Sequence, residues 1–200
     1  KRSWMNKIDL CDLTKCTQCL SCVMKCPRQC IAMETSKAGF SVPSINRQEC
    51  IECGVCMQVC HQITPVIENK KNPSAVYAAW NLDDKIRCLS SSGGVFSAFA
   101  EKIIKKGGIV FGAAYIEGLK VKHIGVDTIE GLQQLRGSKY IQSNIGDCYK
   151  EVKSNLQKKR LVLFTGSPCQ VAGLFSFLKT RYDNLYTCDF VCHGVPSQKA

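Results

Sequence analysis

Cys16-Thr17-Gln18-Cys19-Leu20-Ser21-Cys22-Val23-Met24-Lys25-Cys26-Pro27 returns 34 residues later as Cys50-Ile51-Glu52-Cys53-Gly54-Val55-Cys56-Met57-Gln58-Val59-Cys60-His61. Both copies read Cys-x2-Cys-x2-Cys-x3-Cys. Three cysteines this close wrap one cuboidal [4Fe-4S] cluster, with backbone amides turned toward its sulfides. The fourth begins a turn that faces away and reaches a second cluster. The spacing therefore groups Cys16, Cys19, Cys22 and Cys60 on one cluster, and Cys50, Cys53, Cys56 and Cys26 on the other. Pro27 follows Cys26 as the pattern expects, whereas His61 stands where a second Pro would, without removing a ligand. Zinc ribbons use separated Cys-x2-Cys pairs, not a triple followed by a fourth cysteine.

Outside the motif, composition excludes several classes. Hydrophobic residues make up 45% and charged residues 22% of the 200, a globular balance. The longest nearly unbroken apolar run, Ile109 to Ile116, is far below the roughly 18 residues of a membrane span. The opening Lys1-Arg2-Ser3-Trp4 leads straight into Cys-rich sequence, with no secretory signal pattern. Fifteen cysteines is an odd number, so complete disulfide pairing is impossible, and ten of them precede residue 61. Thiolate ligands need a reducing compartment, so the expected location is cytoplasmic. Cys11 and Cys30 fall outside the ligand spacing and read as small apolar fillers, as do Cys88, Cys148 and Cys188.

The formal charge of +11 raises the question of nucleic acid. Residues 1–70 carry nine Lys and Arg against six Asp and Glu, and residues 71–200 carry eighteen against ten. The densest basic run is Lys158-Lys159-Arg160, which reads as a solvated face, and no nucleic-acid partner is expected. Each oxidised cluster with its four thiolates brings about −2, leaving the basic excess in the second part of the chain, where it suits a phosphate-bearing cofactor.

That second part alternates helix and strand patterns. Lys70-Lys71-Asn72-Pro73-Ser74 reads as a linker. Val95 to Lys106 has helical spacing and stops at Gly107-Gly108. Ile109 to Tyr115 and Leu119 to Val126 read as strands joined near Gly118, with Arg160 to Thr165 and Leu185 to Val191 as two more. Asn144 to Gln157 and Pro168 to Leu178 read as helices, the latter with Pro near its first position. Helices interleaved with apolar strands point to an α/β domain. The predicted class is thus α+β overall: a small bacterial-ferredoxin-like 2[4Fe-4S] domain over 1–70, a linker over 71–87, and an α/β domain over 88–200, which the resemblance given below implies to be a partial flavin-binding domain.

Three stretches there look like site. Ser90-Ser91-Ser92-Gly93-Gly94 opens a helix, whose N-terminus favours anions such as a pyrophosphate; an ordinary Ser-rich helix cap is the plain alternative. Arg136-Gly137-Ser138-Lys139-Tyr140-Ile141-Gln142-Ser143 offers cations, an aromatic and hydroxyls, and alone also reads as a polar turn. Thr165-Gly166-Ser167-Pro168-Cys169 is a strand–turn–helix of the kind that binds ligands at strand C-termini, with Cys169 near a helix start where a thiol is reactive or ligand-competent. Cys192-His193-Gly194 repeats that logic after the next strand, against the plain reading of a buried Cys and a capping His.

Together with Gly107-Gly108-Ile109-Val110-Phe111-Gly112-Ala113 and Cys192-His193-Gly194-Val195-Pro196-Ser197, these motifs resemble the beta-subunit family of coenzyme F-420 hydrogenases and dehydrogenases. The resemblance implies FAD alongside the iron–sulfur clusters. It implies Ser91, Ser92, Gly93, Gly94, Lys139, Gln142 and Ser143 as flavin contacts, and Cys169 and Cys192 as ligands of a further cluster. Members continue past the equivalent of Cys192, so a third [4Fe-4S] cluster would be completed beyond Ala200, and the chain is expected to be a C-terminally truncated fragment. The implied function is an iron–sulfur flavoprotein oxidoreductase. Its partners would be a ferredoxin-type redox protein or subunit and a small organic acceptor such as a deazaflavin-type coenzyme. The flavin stands between one- and two-electron chemistry. The alternative is a pure electron-carrier module with an inactive docking domain.

Overall fold

The computed structural model describes residues 9–65 and 74–197. The sequence-predicted domain limits at 1, 70 and 200, and the expected linker residues 70–73, lie outside them.

The Cys-rich part holds two short helices and one hairpin. Helix α1 spans Ser21–Lys25, strands β1 (Ile31–Thr35) and β2 (Ser41–Ile45) follow, and helix α2 spans Val55–Gln58. The strands pair antiparallel, with Ile31 opposite Ile45 and Thr35 opposite Ser41. Their turn closes through Ser36, whose hydroxyl accepts from the Phe40 N–H at 3.1 Å, with Gly39 supplying a left-handed φ of 82°. The core here is small: Cys30, Ile31 and Cys56 are buried, with Val23, Ile45 and Met57 packed against them.

Residues 74–82 run without regular structure to helix α3 (Asp84–Cys88), which occupies the end of the expected linker. Asp83 starts it by accepting from the N–H groups of Lys85 and Ile86. The remaining elements are α4 (Val95–Lys105), β3 (Ile109–Ile116), a single 3-10 turn (Glu117–Leu119), β4 (Lys120–Val126), α5 (Leu132–Leu135), α6 (Cys148–Gln157), β5 (Val162–Thr165), α7 (Pro168–Leu178) and β6 (Leu185–Cys188).

These strands form one sheet in the order β4-β3-β5-β6. β3, β5 and β6 are parallel and β4 is antiparallel to β3. Alternation along the strands supplies both faces. Phe111, Val162 and Phe164 point to one side, under Tyr149, Val152 and Leu156 of α6 and Val171, Leu174 and Phe177 of α7. Val110, Ala114 and Leu163 point to the other, under Ala100 of α4 and Leu132 and Leu135. The second part is therefore a three-layer α/β unit, and all three parallel strands end on the same side.

His123 on β4 is buried among apolar rings and stacks on Phe164 at 5.4 Å. Its Nε2 lies 3.0 Å from the Thr165 carbonyl and its Nδ1 2.6 Å from the Ser143 hydroxyl. A carbonyl only accepts, so Nε2 carries the proton and Nδ1 accepts from Ser143. The ring ties β4, β5 and the 136–143 segment together as a neutral group, and burial lowers its pKa to about 4.

That shift sets a pH dependence. The folded-state pKa lies below the ordinary value of 6.5, so the unfolded chain takes up the proton first as pH falls. Stability from this group is complete above about 6.5 and is lost as pH falls toward about 4, an effect on the order of 3 kcal/mol. Denaturant unfolding across this window should show a shallower loss of stability for His123→Asn than for the parent chain; equal slopes would contradict the assignment.

Candidate metal centre

The cysteine repeat is also a repeat of backbone shape. Gln18 and Leu20 take left-handed φ values of 57° and 61°, and the residues 34 positions on, Glu52 and Gly54, take 53° and 74°. Only one of the four is Gly, although L side chains rarely adopt this region. The alternation coils each Cys-x2-Cys-x2-Cys stretch so that its sulfurs face one hollow, and each coil then runs directly into α1 or α2. Strain held by two copies of one sequence pattern marks a functional loop.

Two hollows result. Cys16, Cys19, Cys22 and Cys60 line the first, with Thr17, Leu20 and His61. Cys50, Cys53, Cys56 and Cys26 line the second, with Pro27 and Gly54. Each triple is thus brought together with the fourth cysteine of the other copy. Each hollow holds one more cysteine than the spacing expects: Cys11 in the first and Cys30 in the second. Both read from the sequence as apolar fillers, and Cys30 does belong to the buried core; the structure adds that both stand among the grouped cysteines. Cys30 is buried, yet its sulfur stands 3.5 Å from that of Cys26.

The electrostatics of the bare sulfurs say what they need. Burial pushes the Cys22 thiol up to about 12, with Cys19, Cys16 and Cys60 adding repulsion. Cys19 and Cys56 are raised for the same first reason. At Cys26 burial raises the pKa, but the N–H groups of Cys30, Arg28 and Gln29 and the Cys30 thiol more than offset it, and the net shift is downward. Four thiolates cannot share a half-buried hollow unless a cation neutralises them. Among the described residues no three His, Cys, Asp or Glu side chains close on a point that a single ion would occupy. A ring of cysteines around each hollow fits a multi-iron cluster. Thr17 Oγ1 and His61 Nε2 close the first hollow at 2.9 Å from each other.

The first hollow is seated on α7. The Ser21 hydroxyl donates to the Gly173 carbonyl at 2.8 Å, and Leu20 and Met24 pack against the α6/α7 core. A Cβ at Gly173 would stand 2.7 Å from Cys19 Cβ, 2.8 Å from Tyr149 Oη and 3.1 Å from Cys19 Sγ. No side chain fits between this helix and the cysteine loop. Tyr149 is fully buried and donates to the Gln170 carbonyl at 2.7 Å. At the rim, Lys25 lies over the Phe177 ring at 4.5 Å and Lys179 donates to the Gln58 carbonyl.

The other sequence-predicted site residues fall along the end of the sheet where the parallel strands finish. The Ser138 N–H donates to the Ser91 hydroxyl at 3.0 Å, joining the first two stretches. Arg136 donates to Ser97 Oγ at 3.0 Å and pairs with Glu101 at 3.4 Å, holding its turn against α4. Gly94 caps α4 with a φ of 73° and no side-chain cap is present, while Gly93 backs onto the Ala79 carbonyl. Lys139 donates to the carbonyls of Gln134 and Arg136, and burial lowers its pKa. Gln142 reaches the Thr17 carbonyl of the first cysteine loop at 3.5 Å. Ser143 is committed to His123 and, through its carbonyl, to the Gln170 side chain. Ser92 is exposed beside them. Cys169 contacts the Ser167 hydroxyl at 3.1 Å and Cys192 accepts from the Gly194 N–H at 3.4 Å, each following one of the paired strands β5 and β6.

Comparison with known proteins agrees with the first half of this layout. Residues 15–62 match the 4Fe-4S dicluster domain, so the chain carries an iron–sulfur electron-transfer domain with two [4Fe-4S] clusters. No curated protein matches the chain. Among solved structures, a chain of the F420-reducing [NiFe] hydrogenase complex from Methanosarcina barkeri matches at 23% identity and a TM-score of 0.39, over 46% of this chain and 32% of that one. Among the described residues no helix is long and apolar enough to cross a membrane.

The Gly173 contact has a direct consequence. Gly173→Val should destabilise the protein by about 1–3 kcal/mol through overpacking and change the electronic spectrum of one cluster, the one beside Cys19. Unchanged unfolding and spectra would show that the helix and the cysteine loop do not meet there.

Proposed function

We propose that the chain is an iron–sulfur flavoprotein oxidoreductase that exchanges electrons with a redox protein and a small organic acceptor. The observation that carries this reading is the seat of the first cysteine loop on α7, where Cys19 meets Gly173 at the edge of the sheet domain. An electron carrier serving only outside partners needs no such intimate packing against an α/β unit.

In this reading Cys16, Cys19, Cys22 and Cys60 hold one cluster and Cys50, Cys53, Cys56 and Cys26 the other. When bound, the clusters supply single-electron transfer and the flavin converts between one- and two-electron steps. The chain's own residues do the rest. The uncapped N-terminus of α4 at Gly94, with Ser91 and Ser92 beside it, suits the pyrophosphate of FAD. Lys139 adds positive charge nearby, and the 138–142 segment runs from the Ser91 hydroxyl to the Thr17 carbonyl, from the flavin side to the first cluster. Ser143 serves this end of the sheet by orienting His123. Cys169 and Cys192, which follow neighbouring strands, would serve as ligands of a further cluster. A reducing cytoplasm suits this ligand chemistry.

Anaerobic purification of the full chain tests both halves. FAD released on denaturation is the expected result, and protein fully loaded with iron but free of flavin would defeat the flavoprotein reading. Separately, Cys53→Ala should halve the iron content and Cys30→Ala should leave it unchanged. Full iron in Cys53→Ala would overturn the ligand grouping.

A further inference from the structure

Each cysteine hollow contains a fifth sulfur. Cys11 lines the first hollow with Cys16 and Cys60, close enough to feel both electrostatically, and Cys30 lines the second, its sulfur 3.5 Å from that of Cys26 and likewise close to Cys50. In both hollows, therefore, the extra thiol faces the same two positions: the first cysteine of the resident triple and the fourth cysteine contributed by the other copy. The two arrive there differently. Cys11 precedes Cys16 by five residues and Cys30 follows Cys26 by four, and the positions 34 residues after them, Ile45 and Thr64, carry no thiol. Two unrelated chain positions thus converge on equivalent places in the two halves of the site. Filling space with a small apolar group does not require this, since Ala or Val would serve equally well at buried Cys30.

We propose that Cys11 and Cys30 are substitute ligands, one for each cluster, poised to take over the iron of the first or fourth cysteine they face. This rests on the ligand grouping given above. The exchange would be redox-neutral: the incoming thiol would give its proton to solvent as its sulfur bonds the iron, while the iron–sulfur bond of the departing cysteine breaks and that sulfur, leaving as thiolate, takes a proton from solvent. Such a thiol has a use in a domain whose apolar core is small, because loss of one iron–sulfur bond would otherwise empty a hollow that the fold depends on. Cys30 is anchored for the role, its carbonyl accepting from the Asn46 N–H at 2.8 Å while its sulfur meets that of Cys26 at 3.5 Å. Cys53, the exposed cysteine of the same hollow, serves as the reference position.

The test counts iron and acid-labile sulfide in the full chain, purified anaerobically, for Cys26→Ala, for Cys26→Ala combined with Cys30→Ala, and for Cys53→Ala. Cys26→Ala alone is expected to keep nearly all its iron, with an altered electron paramagnetic resonance signal from one cluster. The double variant and Cys53→Ala are expected to fall to about half. Loss of half the iron in Cys26→Ala alone would overturn the proposal and leave the ligand grouping intact. Full iron in the double variant and in Cys53→Ala would overturn the grouping and the proposal with it. Cys16→Ala, alone and with Cys11→Ala, repeats the test in the other hollow if a variant of the first set fails to fold; there too, iron lost in the single variant defeats the substitute role.

Discussion

Crowded, half-buried sulfur is the constraint on which the rest of this molecule depends. Ten cysteines line two hollows in a domain whose buried apolar side chains are few, among them Cys30, Ile31, Cys56 and Val59. Burial drives several of these thiols toward the protonated form, as at Cys22, so iron is needed both to hold charge there and to replace an absent apolar core. The left-handed residues Gln18, Leu20, Glu52 and Gly54 impose a conformational cost that only a filled site justifies. The neighbouring α/β unit has no such dependence. Its sheet is covered on both faces by ordinary apolar packing.

The two parts meet where the stakes for function are highest. Gly173 lets the first cysteine loop touch α7, and Tyr149 fills the space behind it with a hydroxyl bonded to Gln170. Gln142 adds a second tie, to Thr17. The same side of the sheet carries the ends of the parallel strands, the turn at Ser167 and the 136–143 segment. In open α/β sheets that edge is where ligands bind. The joint therefore brings the iron–sulfur module to the edge that chemistry in this fold class uses.

Much of this was legible in the sequence, for physical reasons. Helix Pro168–Leu178 has the limits its spacing predicts, because Pro168 and the Ser167–Gln170 pair start it and left-handed Lys179 stops it. The cysteine spacing anticipates the crossed grouping of the two hollows. Helix Asn144–Gln157 starts later, at Cys148, because Asn144 pairs through its backbone with Val121 and His123 of β4. Strand β6 stops at Cys188, opposite the last residue of β5, short of the expected Val191. The hairpin Ile31–Thr35 with Ser41–Ile45 escaped notice since its strands are five residues each and Pro43 interrupts the second. Asp83-Asp84 was the missed signal for α3. The strand over Leu119 to Val126 was legible, but the burial of His123 was not, because its partners Ser143 and Thr165 lie far along the chain. The fifth sulfurs were invisible for the same reason: Cys11 and Cys30 join the hollows through folding, outside any spacing rule.

The central claim is that two clusters share one small domain, each held by three cysteines of one copy and one of the other. The most direct measurement is the electron paramagnetic resonance spectrum of the fully reduced, anaerobically prepared chain, with iron counted on the same sample. The account predicts about eight iron atoms per chain and the broadened, split spectrum of two magnetically interacting reduced clusters. A count near four, or two signals that behave as if isolated, would contradict it.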